Sequence, residues 1–237
     1  AVPVNRFILN RTGWVQVGTA TLLVLISIGV LLTTDDDPKL ERWVGFLFLG
    51  LLLLYLYITY VWAKQGTGVL PEDEALEHEL ISVGKSWILI VGGLLLVIIG
   101  ARILVPSASE IAMRFGVPDD VIAATMVAFG TSLPELMTAI AAIRKGHPEI
   151  TVGNIVGADV LNVLFVIGAA AVASPLVIPM NFYYFHFPAM LIILFSFRIF
   201  ISMNKEGVFH RWQGFWLLAV YLCYVILQYT LNIESAH

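Results

Sequence analysis

Seven apolar runs, each close to twenty residues, leave this chain few ways to fold. A helix needs roughly 20 apolar residues to cross the hydrocarbon core of a bilayer. Segments at about 13–33, 43–63, 86–105, 121–143, 149–173, 183–202 and 212–232 have that length. Composition agrees: 59% of residues are hydrophobic and 13% charged, where a soluble domain averages about a quarter charged. Mean hydropathy is +0.89. The expected class is all-α, a polytopic membrane helix bundle of seven transmembrane helices with lipid as its solvent. No basic cluster suggests nucleic acid. The single cysteine, Cys223, excludes an internal disulfide and reads as a packing residue in its apolar segment.

Charge placement orients the spans. Arg6, Arg11, Lys64, Lys85, Arg144, Lys145, Lys205 and Arg211, with Arg198 nearby, fall on one face when the spans alternate. Lys39, Arg42 and Arg114, with Arg102 close by, fall on the other. The positive-inside rule puts the richer face in the cytoplasm. The start of the chain is then cytoplasmic, the C-terminus external, and the acidic linker around Glu72, Asp73, Glu74, Glu77 and Glu79 a solvated cytoplasmic loop. Trp14, Trp43, Trp62, Trp87 and Trp212 lie at segment ends, as interfacial anchors do.

One pentapeptide is echoed. Arg42-Trp43-Val44-Gly45-Phe46 returns 169 residues later as Arg211-Trp212-Gln213-Gly214-Phe215, and Tyr55 and Tyr60 meet Tyr224 and Tyr229 at the same offset. The copies open the second and seventh spans. The copies are five spans apart, and an odd step gives opposite directions, the plan of an inverted-topology repeat. The repeat unit would be five spans. Residues 1–63 then hold the last two helices of a first unit, 64–85 the acidic linker, and 86–237 a complete second unit. With Ala1 rather than Met at the start, the chain reads as a piece of a polypeptide of about ten spans, a five-plus-five fold in which the first three spans of the N-terminal half are missing. A second copy forming a homodimer is the alternative way to complete it.

The fourth span carries an expensive group. Glu135 lies in Ala128-Phe129-Gly130-Thr131-Ser132-Leu133-Pro134-Glu135, and an ionisable group at membrane depth needs a partner, a cavity or an ion. Positions three and four apart share a helix face, so the hydroxyls of Thr131 and Ser132 can converge with the carboxylate. Pro134 removes a backbone donor and Gly130 permits bending, which together would release carbonyls such as that of Ala128. The donors are all oxygen and suit hard cations. The fifth span adds Gly153-Asn154-Ile155-Val156-Gly157-Ala158-Asp159-Val160-Leu161-Asn162. Asp159 and Asn162 share a face, as do Asn154, Ala158 and Asn162, and Gly153 and Gly157 form a small-xxx-small pair for close helix approach.

These two motifs resemble the second α-repeat of the cation/calcium exchanger superfamily, most closely the prokaryotic sodium/calcium exchangers. The resemblance implies a secondary antiporter, not an enzyme, that exchanges Na⁺ for Ca²⁺ by alternating access in a bacterial or archaeal plasma membrane. Ca²⁺ and Na⁺ are then transported ions, with no organic cofactor. Glu135 would be one of two central glutamates. Thr131, Ser132 and the Ala128 carbonyl would give oxygens to Na⁺, and Asn162 would be a site residue. Asn162, where potassium-dependent relatives carry an acid, tilts the reading toward potassium independence. The chain departs from the family at Gly157-Ala158-Asp159, where glycine-serine-asparagine is usual: a hydroxyl is lost at Ala158 and a carboxylate gained at Asp159. Proton- or potassium-coupled antiport and a non-transporting membrane subunit are the rival readings.

Overall fold

The structure, a computed structural model, describes residues 6–34, 37–66, 83–117, 119–146, 149–203 and 210–235. It is almost entirely helical. Six helices are long and apolar enough to span a membrane, and a bent helix pair brings the number to seven. The chain is a multi-pass membrane protein, and each described span overlaps its sequence-derived segment. The acidic linker and Lys205 lie outside the described residues.

The first of two compact units comprises residues 1–66 and 142–221. It contains α1 (Arg6–Thr33), β1 (Lys39–Leu40), α2 (Arg42–Gly66), α7 (Glu149–Leu161), α8 (Gly168–Ala173), β2 (Leu176–Val177), α9 (Phe187–Met203) and the start of α10 (Arg211–Ser235). A π-helical segment, Asn162–Ile167, joins α7 to α8, and another, Phe182–His186, leads into α9. Val44, Phe48 and Leu52 of α2 pack with Leu23 and Val24 of α1 and with Val160, Val163 and Leu164 of the fifth span. One close crossing is glycine on glycine. A Cβ on Gly45 would lie 2.6 Å from the Gly168 carbonyl oxygen and 2.7 Å from the Val172 nitrogen. Small residues let helices approach this closely where lipid removes the hydrophobic drive for association.

The ends of this unit bear on the sorting of basic residues. The Arg11 guanidinium lies 5.1 Å from the Trp62 ring and that of Arg198 4.5 Å from the Trp14 ring, while Lys64 is 5.8 Å from the Tyr60 ring. At the ends of the same helices away from these cations, β1 pairs antiparallel with β2, Lys39 opposite Val177 and Leu40 opposite Leu176. The Ile178 N–H donates to the Pro38 carbonyl at 2.8 Å. The loops after the first and fifth spans therefore share one end of the unit, as strict alternation requires.

The second unit comprises residues 67–141 and 222–237. It contains α3 (Val83–Arg114), α4 (Asp119–Ile122), a π-helical turn (Ala123–Val127), α5 (Ala128–Thr131) and most of α6 (Leu133–Arg144). The third span was expected to end at Val105, before Pro106; the helix instead runs on to Arg114, 32 residues in all, with Pro106 inside it. Proline is tolerated in membrane helices when nearby hydroxyls re-satisfy the backbone, and Ser107 Oγ donates to the Ile103 carbonyl at 2.8 Å. At about 1.5 Å per residue the helix is about 48 Å long, beyond a hydrocarbon core of about 30 Å. Its last turns are accordingly polar, with an exposed Glu110–Arg114 ion pair at 2.6 Å.

Two packing expectations are corrected. Cys223 is exposed rather than packed inside protein. Gly153 and Gly157 have nothing within 4 Å of a built Cβ among the described residues. The close approach that small residues permit is made by Gly168, further along the same span.

Candidate cation site

The polar groups singled out in the sequence fall in the two units, and each group is described within its own unit. In the second unit the fourth span breaks at Ser132. The segments Thr125–Thr131 and Leu133–Arg144 are bent by 54°, and Ser132 takes φ −90°, ψ 2°, the sparsely allowed bridge region. Pro134 lacks the N–H that would carry the helix through, so the break follows from the sequence. Gly130 has a different role from the one expected. Its backbone is helical with no positive φ, and a Cβ there would collide with Cγ2 of Val105 on α3. Glycine is required by that contact.

The Ala128 carbonyl is also not released. It accepts the Ser132 N–H at 3.1 Å and the Thr131 hydroxyl at 3.0 Å, which together use both lone pairs. The Ser132 carbonyl accepts from the Leu136 N–H at 3.0 Å. Thr131 and Ser132 are exposed. The Thr131 hydroxyl donates its proton to Ala128, so its own lone pairs stay available to a cation.

Glu135 is the third residue of α6, in its first turn. The helix dipole at that end favours the anion by about 0.3–1 kcal/mol. Ser132-x-x-Glu135 matches a capping box, in which the glutamate would accept the N-cap N–H, but the Ser132 N–H is taken by Ala128. Glu135 is half-buried, and its Oε2 is shielded from solvent with no hydrogen-bond partner. Among the described residues no ion pair reaches it. A carboxylate oxygen left in this condition costs more than the ~1–3 kcal/mol of an unsatisfied neutral group, unless a cation occupies it.

In the first unit, Asp159 on α7 accepts a hydrogen bond at Oδ2 from Nε2 of Gln16 on α1. Gln16 is 2% exposed, and its Oε1 is buried without a partner. Asn154 is half-buried with its Nδ2 likewise unpartnered. Asn162 is exposed and begins the π-helical segment, so the register widens where its carboxamide emerges. Such bulges are frequent at functional sites. Gln16 went unnoticed in the sequence; a glutamine within an apolar run was the only signal. Among the described residues no group of three or more His, Cys, Asp or Glu comes together. The oxygens on offer are isolated carboxylates, hydroxyls, amides and carbonyls, the ligand set of hard cations.

Comparison with known proteins joins this geometry to a family. Residues 85–230, more than half of the chain, match the family model described as sodium/calcium exchanger protein. The chain is 32% identical over 221 residues to CaxA of Alkalimonas amylolytica, covering 88% of this chain and 66% of that protein. It is 34% identical over 131 residues to the sodium/calcium exchanger MaX1 of Methanosarcina acetivorans, 55% of this chain and 37% of that one. Among solved structures it superposes on the sodium-calcium exchanger NCX_Mj, in crystals soaked with Na⁺ and Sr²⁺, with a TM-score of 0.69 and 26% identity, over 95% of this chain and 67% of that one. The chain thus spans about two thirds or less of the length of these two relatives. With the broken fourth span inside the matched region, the chain belongs to the sodium/calcium exchanger family, a family of membrane transporters and not of enzymes.

Proposed function

We propose that residues 1–237 are part of a secondary antiporter that exchanges Na⁺ for Ca²⁺ by alternating access. One observation carries the reading: Glu135 offers a buried carboxylate oxygen with no hydrogen-bond partner at the break of a membrane span. A bare carboxylate at that depth is costly, so a bound cation stabilises it and an empty site resists reorientation. That resistance couples outward movement of one ion to inward movement of the other. Thr131 and Ser132 supply neutral oxygens beside Glu135. The Ala128 carbonyl joins them only if its two present hydrogen bonds rearrange. Asp159 and Asn162 are further oxygen ligands in the same reading, Asp159 being oriented by Gln16. The names of the relatives favour Na⁺ and Ca²⁺ as the ions. The proposed setting is a prokaryotic plasma membrane, with the start of the chain cytoplasmic and the C-terminus external.

The test is Ca²⁺ uptake into membrane vesicles that contain the whole gene product, driven by an outward Na⁺ gradient. Glu135→Gln should weaken Ca²⁺ dependence by roughly 10- to 100-fold, the worth of ~1.5–3 kcal/mol for one charged ligand, while protein level and thermal stability are retained. Unchanged uptake in that variant would refute the assignment of Glu135. Uptake that ignores Na⁺ but follows a pH or K⁺ gradient would replace the coupling ion and leave the site standing.

A further inference from the structure

The echoed pentapeptide opens α2 and α10, and the structure shows what surrounds each copy. On their outward faces the copies match. Trp43 and Trp212 are 59% and 55% exposed, and Phe46 and Phe215 are 63% and 69% exposed. The residue before the glycine is buried in both, Val44 in one and Gln213 in the other. One stripe differs. In α2 it is Gly45, Phe48 and Leu52, which lies against α8: Gly45 meets the backbone of Gly168 and Val172, and Phe48 and Leu52 are buried. The same offset of 169 residues places Gly214, Leu217 and Tyr221 on α10. Gly214 is exposed and has nothing among the described residues within 4 Å of a built Cβ. Leu217 is half-covered and Tyr221 is exposed.

A glycine at a helix crossing has a physical purpose only when a second backbone comes close to it. In α2 that backbone is present. In α10 the glycine, the flanking tryptophan and the phenylalanine are all repeated, and no second backbone lies there among the described residues. We propose that the Gly214, Leu217 and Tyr221 stripe of α10 is the docking face for one apolar transmembrane helix from outside residues 1–237, seated on α10 as α8 is seated on α2. The occupant is defined by chemistry: a helix with glycine or alanine at the crossing and apolar residues on either side. A second copy of this chain cannot supply it through α8, because the Gly168 face is already occupied by Gly45. The solved exchanger extends about a third beyond the portion aligned with this chain, so in that protein there is polypeptide available for such a place. Acyl chains fill a notch left by glycine less well than a helix backbone, because mobile chains forfeit close dispersion contacts.

The experiment is photo-crosslinking of the whole gene product in its own membrane, with p-benzoylphenylalanine in place of Tyr221. Irradiation should join position 221 to an apolar peptide that lies outside residues 1–237 and contains glycine or alanine. The same probe in place of Phe215, on the face that is outward in both copies, should give protein crosslinks only at background. A probe in place of Leu217 serves as the second site if the Tyr221 substitution lowers expression. Adducts at 217 and 221 that contain only lipid would overturn the proposal, as would crosslinks confined to residues 1–237 of the same or a second copy. The readout does not involve ion flux, so its failure and the failure of the antiport reading are separable.

Discussion

Gly45→Ala is the substitution whose cost follows most directly from the structure. The added methyl would lie 2.6 Å from the Gly168 carbonyl oxygen, 2.7 Å from the Val172 nitrogen and 2.8 Å from Val172 Cγ2, where ordinary contact begins at 3.4 Å. Two of these neighbours are backbone atoms and cannot rotate away, so α2 must retreat from α8 by the greater part of an ångström. A gap of about 0.5–1 Å forfeits a quarter to a half of each dispersion contact, and Phe48 and Leu52 lie on the face that opens. Overpacking of this kind costs about 1–3 kcal/mol. With unyielding backbone on the far side the upper end applies, about 3 kcal/mol. Alanine regains about 1 kcal/mol of helix propensity over glycine. The net loss is about 2 kcal/mol, or a drop in Tm of about 4–8 °C at ~2–4 °C per kcal/mol for a chain of this size. Thermal unfolding of the purified gene product in detergent measures it. Gly18→Ala is the control, since Gly18 is within α1 and nothing lies within 4 Å of a built Cβ; its Tm should hold or rise. A Gly45→Ala protein as stable as the parent would refute the glycine crossing.

Other outcomes are expected from the same geometry. Gln16→Leu removes the donor to Asp159 and should destabilise the ion-free protein by about 1.5–3 kcal/mol, the usual worth of a hydrogen bond to a charged group; if Asp159 binds cations, saturating Na⁺ or Ca²⁺ should restore part of the lost Tm, and no ion dependence would remove Asp159 from the site. Gly130→Ala should be destabilising because of Val105 and should be rescued by Val105→Ala, with a coupling of about 0.5–3 kcal/mol in a double-mutant cycle on thermal stability; additive effects would show that the two do not touch. Ser132→Ala should leave stability within about 0.5 kcal/mol, as for an exposed site, while lowering the apparent Na⁺ affinity of Ca²⁺ uptake; an unchanged Na⁺ dependence would exclude its hydroxyl as a ligand.

Much of the fold was legible because its signals are local. Run length and hydropathy located every described span to within a turn or two, apart from α3, whose expected end at residue 105 proved to be interior. The break beside Glu135 was legible too, since Pro134 withholds a donor from the backbone ladder at that turn. The consequences of the break were not. Whether the Ala128 carbonyl is released depends on where the Ser132 N–H and the Thr131 hydroxyl turn, and both turn back to it. Among the glycines, spacing alone favoured Gly153 and Gly157, whereas the crossing uses Gly45 and Gly168. Which glycine is pressed depends on which helices meet and at what height.

The sequence by itself determined that this is a multi-pass helical membrane protein, where its spans lie, and which of them carries a carboxylate beside two hydroxyls. These are properties of one stretch of chain against lipid, and a stretch of twenty residues contains all that is needed to read them. Only the tertiary structure decided that Gln16 holds Asp159 across 143 residues of chain, that Gly130 answers to Val105, and that Gly45 has a helix against it while its echo Gly214 has none among the described residues. Those depend on distances between residues remote in sequence. In a bilayer nearly every face of an apolar helix is an acceptable surface, so hydropathy cannot say which face meets protein, and packing alone settles it.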